Sequence, residues 1–100
     1  MKQQNILQAL AKSHAIEILR SLDKEPKRFL GLRKSCRSNR TRSARLRELE
    51  GKGLVRVVPK MIGHRAYTFY EITTLGKEAL KLSEKLLRLE TKQKTTQKPH

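Results

Sequence analysis

The apolar residues of this chain change period twice, and the order of those periods limits its fold more than any single motif. Ile6, Leu7, Leu10 and Ala11 recur at helical spacing, and so do Ala15, Ile18, Leu19 and Leu22. Ser13 stands where it would cap a helix beginning near His14. Two helices, or one bent helix, are therefore expected to open the chain. Asp23-Lys24-Glu25-Pro26 ends that pattern, because proline disfavours helical geometry in the residue before it. Lys27 to Phe29 reads as a short extended segment. Leu30, Leu32 and Cys36 support a short helix over about residues 30–36, and Arg37-Ser38-Asn39-Arg40 is a polar break. A further helix is expected from about Arg40 to Lys52, with Leu46, Leu49 and the aliphatic part of Arg42 or Ser43 turned inward. Gly51 and Gly53 supply the freedom that ends it.

After Gly53 the period shortens to that of a strand. Leu54-Val55-Arg56-Val57-Val58 is rich in β-branched residues and closed by Pro59, and Ala66 to Ile72 is a second run of aromatic and β-branched residues. Lys60 to Arg65 is short enough to join them as a β-hairpin, with Gly63 in the turn. Thr73 or Thr74 can cap a last helix, in which Leu75, Ala79, Leu82, Leu86 and Leu89 form a heptad seam. The expected fold is mainly α with a small β-hairpin, as one domain over residues 1–90 that includes a C-terminal helix at about 73–90. Residues 91–100, mostly Lys, Gln and Thr, are expected to form a disordered basic tail.

Charge decides what such a fold would meet. The 100 residues hold 24 Lys plus Arg against 9 Asp plus Glu, a formal charge of +15 that calls for a polyanionic partner. From Pro26 to Arg47 there are nine basic residues and no acidic one, and Gly51 to Tyr70 again contains no acid. Aromatic residues are only 4% of the chain, so the core must be small and aliphatic. No apolar run is long enough to span a membrane, and the first residues lack the pattern of a secretory signal, which suggests a cytoplasmic protein. Glu78, Glu84 and Glu90 offset the cations of the last helix, which argues against a membrane-surface role. Cys36 is alone and reads as a small buried hydrophobe, with an intermolecular bridge as the alternative. His14, His64 and His100 are too scattered to hold a metal, and no cofactor or small-molecule site is visible. There is no phosphate-binding glycine loop, nucleophile elbow or carboxylate pair, so an enzyme is not expected.

A short helix, a polar turn, a basic helix and a basic hairpin tip together suit the major groove of duplex DNA, where a first helix braces a second that presents side chains to base edges. With Leu46 and Leu49 inward, the outer face carries Arg40, Thr41, Ala44, Arg45 and Glu48. Arg40 and Arg45 suit guanine, Thr41 a base or phosphate, and Ala44 a thymine methyl group. Arg37, Arg42 and Arg47 lie at the edges of that face and suit phosphates. Ser38 and Asn39 complete the candidate DNA-binding set, and Lys60, His64 and Arg65 would reach the minor groove or backbone from the hairpin.

Leu46-Arg47-Glu48-Leu49-Glu50-Gly51-Lys52-Gly53-Leu54-Val55, Tyr67, and Ile72-Thr73-Thr74-Leu75-Gly76 resemble the winged helix-turn-helix regulators of bacteria and archaea, particularly the HxlR-like and MarR-like groups. Pro26-Lys27-Arg28-Phe29 with Leu32 resembles the segment that leads into the HxlR-like helix-turn-helix. The resemblance covers about residues 13–89. It implies a homodimer that binds double-stranded DNA and regulates transcription, nucleoid-associated in the cell, with terminal helices paired. The seam of Leu75, Ala79, Leu82, Leu86 and Leu89 points to the same dimer interface, or else to packing within one chain. Arg42 and Ser43 stand where these families bury an aliphatic residue. An architectural, chromatin-like DNA-binding role and an RNA-binding role are the alternative readings of the same charge.

Overall fold

The computed structural model describes residues 4–96, with side chains described for residues 4–91. Helix α1 (Ile6–Ala11) opens on a capping box: the Asn5 side chain accepts the Gln8 N–H at 2.8 Å, and the Gln8 side chain accepts the Asn5 N–H at 2.8 Å. Helix α2 (Ala15–Lys24) follows as a separate helix. Its N-terminal residue is capped by no side chain, because His14 adopts a left-handed conformation (φ 69°) and Ser13, the expected cap, is used elsewhere. The short helix expected over residues 30–36 is a single 3-10 turn, Leu30–Leu32, which continues as hydrogen-bonded turns to Cys36. Two of its three apolar positions nevertheless reach the core, where Leu32 and Cys36 are buried, whereas Leu30 is exposed.

Helix α3 (Asn39–Gly51) starts after Ser38, whose hydroxyl accepts the Thr41 N–H at 3.1 Å. It ends in a Schellman motif: Gly53 at φ +76° donates to the Glu50 carbonyl at 2.9 Å, and Leu54 donates to the Leu49 carbonyl at 2.9 Å. Strands β1 (Val55–Ile62) and β2 (Arg65–Ile72) form an antiparallel hairpin in which Val55 faces Ile72 and Ile62 faces Arg65. Pro59 does not close the first strand as the sequence suggests. It sits within β1, opposite Thr68, and β1 is an edge strand, where a missing N–H need not break the ladder. The loop thus shrinks to Gly63 and His64, with Gly63 at φ +64° in the position where a type II′ turn requires it. On the other side of β2, Lys27 and Tyr70 exchange two backbone hydrogen bonds, at 3.0 and 2.7 Å.

Helix α4 (Thr74–Thr96) is capped by Thr73, whose hydroxyl accepts the Gly76 N–H at 2.9 Å and donates to the Gly53 carbonyl at 2.6 Å. Gly76 lies so close to the Leu54 carbonyl that a side chain could not fit, which accounts for glycine at that point. The helix runs past residue 90 to Thr96; the remainder of the expected tail, residues 97–100, lies outside the described residues. The core is a layer of Ala15, Ile18, Leu19 and Leu22 from α2, closed by Leu46 and Leu49, by Leu54 and Val55, and by Ala79 and Leu80. Arg20 clamps α2 to α4 through a bidentate pair with Glu84, at 2.7 and 2.8 Å. Among the described residues, no helix is long and apolar enough to cross a membrane.

Candidate nucleic-acid interface

The inward side of α3 holds a charge. Arg42 is fully buried (0% exposed) on the same stripe as Leu46 and Leu49. Its Nε donates to the Cys36 carbonyl at 2.9 Å, one terminal nitrogen to Asn39 Oδ1 at 2.9 Å, and the other to the Arg37 carbonyl at 3.1 Å. Its guanidinium lies 4.6 Å from the centre of the Phe29 ring. These four partners give the planar fork polar contacts on its edge and an aromatic surface on its face, as a desolvated guanidinium requires. The expectation that Arg42 meets a phosphate is therefore corrected. It is an internal pin that fastens the polar turn to α3.

With that stripe fixed, the opposite side of α3 presents Arg40, Ala44 and Arg47. Arg37, Ser38, Asn39 and Arg40 form an exposed cluster at its start, while Thr41, Ala44, Arg45 and Glu48 are half-buried. Arg45 differs most from its expected setting. Its Nε donates to the Ser13 carbonyl at 2.8 Å, and its terminal nitrogens meet Ser13 Oγ at 3.4 Å and Glu48 Oε1 at 3.1 Å, leaving 15% of the side chain exposed. It ties α3 to the α1–α2 connection, and Glu48 is held by the same contact. Arg47, given an edge position from the sequence, is exposed on the outer face; Arg42, which is buried, lies about 140° away around the helix and fixes this orientation.

The hairpin places His64 in the turn and Arg65 beside it, both exposed. Lys60 is further back than expected, within β1, where its ammonium lies 3.7 Å from a Glu71 carboxylate oxygen and 5.0 Å from the centre of the Phe69 ring. Arg28, which the sequence did not connect with the hairpin, lies over the Tyr67 ring at 4.3 Å and adds a cation to the same face. Only the cross-strand register, which sets Lys60 opposite Tyr67, brings these groups together. On α4, Leu75, Leu82, Leu86 and Leu89 are exposed, but Ala79 is 7% exposed and belongs to the core. The seam expected for a dimer is thus divided: one of its five positions packs within the chain. Among the described residues, no cluster of His, Cys, Asp and Glu has the composition of a metal site.

The HxlR-like helix-turn-helix family matches residues 9–98 of this sequence. No curated protein matches it. Among solved structures, a PadR family transcription regulator from Clostridium difficile superposes with a TM-score of 0.76 at 19% identity, covering 85% of this chain and 97% of that one. Diamide-treated YodB from B. subtilis gives 0.75 at 21% identity, with 84% of each chain covered. A MarR family regulator from Enterococcus faecalis gives 0.74 at 20% identity over 96% of this chain and 94% of that one. Four helices and an antiparallel hairpin in this order form a winged helix-turn-helix, in which the hairpin is the wing. The chain belongs to the HxlR-like helix-turn-helix family, and its fold is that of the winged-helix transcriptional regulators on which it superposes.

Proposed function

We propose that the protein reads specific sequences in double-stranded DNA as a homodimer, with α3 in the major groove and the wing on the minor groove or backbone. The observation that carries this reading is the division of α3: Arg42, Leu46 and Leu49 are buried, whereas Arg40, Ala44 and Arg47 lie on the opposite side, with Arg40 and Arg47 exposed. Arg40 is the base reader, with Ala44 small enough to let the backbone approach. Arg37, Ser38, Asn39 and Arg47 contact phosphates, Thr41 either, and Arg45 and Glu48 hold the helix in place. On the wing, His64 and Arg65 reach the duplex first and Lys60 supports them.

The exposed Leu75, Leu82, Leu86 and Leu89 of α4 support pairing with a second copy. Such a dimer would set two α3 helices about 34 Å apart, one turn of B-form DNA. A protein holding duplex DNA in this way resides in the cytoplasm on the nucleoid. Competition binding tests the reading. A preferred duplex should be bound roughly a thousandfold or more over random-sequence DNA. Equal affinity for all duplexes would establish an architectural role instead, and preference for RNA would overturn both.

A further inference from the structure

The wing tip combines two kinds of side chain that seldom share an exposed turn. Met61 is 68% exposed and Ile62 is 55% exposed, immediately before the Gly63–His64 turn. Strand alternation turns them to opposite faces of the hairpin, Met61 beside Ala66 and Ile62 beside Arg65, so the end of the wing is apolar on both sides. Around them stand His64 and Arg65 and, further back, Lys60, whose ammonium lies 3.7 Å from a Glu71 carboxylate oxygen. The base of the hairpin is anchored by buried Val55, whereas from Pro59 to Ala66 every residue is exposed.

We infer that Met61 and Ile62 form a wedge that enters the minor groove of duplex DNA, parts a base step and bends the helix, a role that rests on the DNA-binding reading above. Charge selects this occupant. A second wing would bring Lys60 and Arg65 against their own copies, while phosphates on either side of a groove complement them. The cations hold the tip against the backbone, and the two apolar side chains exchange water for the faces of unstacked bases. Proteins that insert such wedges kink the duplex by roughly 20–90° toward the major groove. Pyrimidine–purine steps, which unstack most readily, should be preferred under the wing.

The test compares the full-length protein with a variant carrying Met61→Ser and Ile62→Ser, on a duplex with a fluorescent adenine analogue beside a TA step. Both substitutions lie at exposed positions, and matching circular-dichroism melts establish that the variant is folded. The wild-type protein should raise the analogue's emission several-fold and bend the duplex in gel-phasing experiments. The variant should bind the same duplex within a few-fold of wild type while losing both signals. Wild-type binding without unstacking or bending, or a variant that bends the duplex as well as wild type does, overturns the wedge while leaving the DNA-binding reading intact. An unbent duplex together with a change in self-association of the variant also overturns it, by assigning the tip to another copy. Failure of the wild-type protein to bind any duplex refutes the underlying reading itself, and the wedge with it.

Discussion

The guanidinium of Arg42 lies 4.6 Å from the ring of Phe29, and the two close the polar turn over the base of α3. Because two carbonyl groups, at Cys36 and Arg37, depend on the same side chain, its removal leaves a cavity and unpaired acceptors together. Arg42→Ala should destabilise the fold by about 3 kcal/mol or more in urea denaturation. Arg42→Lys keeps the charge but not the fork or the stacking plane, and should lose about 2 kcal/mol. Wild-type stability in Arg42→Lys would show that the charge alone is sufficient.

Arg40 and Arg45 should separate cleanly. Arg40→Ala should cost about 1–3 kcal/mol of binding free energy and relax preference at one base pair. Arg45→Ala should lower folding stability by about 1–2 kcal/mol through the lost bond to the Ser13 carbonyl. Its base preferences should stay the same, as measured by binding to single-substitution duplex sets. A changed preference in Arg45→Ala would place its side chain at a base edge.

Much of this division was legible in the sequence. The spacing of Leu46 and Leu49 identifies the buried side, and Gly53 marks the helix end. The role of Arg42 was half visible: it shares the stripe of Leu46 and Leu49, but whether a cation can occupy it depends on where Phe29, Cys36 and Asn39 bring their acceptors and ring, and no periodicity records that. Arg45 was misplaced for the same reason, since its partner Ser13 lies 32 positions earlier. The heptad from Leu75 to Leu89 could not distinguish packing inside the chain from packing between chains. Ala79 shows that a single seam serves the core at one point and stands open at the others.

Gly76→Ala should destabilise the protein by about 1–3 kcal/mol, because the added carbon collides with the Leu54 carbonyl oxygen and lies 2.7 Å from Ile72 Cγ1. The thermal midpoint should fall accordingly. An unshifted midpoint would mean that α4 can slide away from the end of α3 without loss.

The Arg20–Glu84 clamp gives a pH signature. The hydrogen bond from Arg20 holds the Glu84 carboxyl below its ordinary value, against a smaller opposing effect of desolvation. A carboxyl lowered on folding stabilises the protein above its unfolded pKa of about 4.3, and that contribution is lost as pH falls through the lower folded value. Glu84→Gln should therefore be less stable than wild type at neutral pH, and the difference should vanish in acid. Added salt should also narrow it, since both side chains are partly exposed. A gap that persists at low pH would assign the contact a packing role.

Selection of bound fragments from a random duplex pool tests the reading by α3 most directly. The selected fragments should converge on one motif repeated with two-fold symmetry, its half-sites centred about 10 base pairs apart. A pool that remains random in sequence after repeated rounds, although the protein still retains DNA, would contradict it.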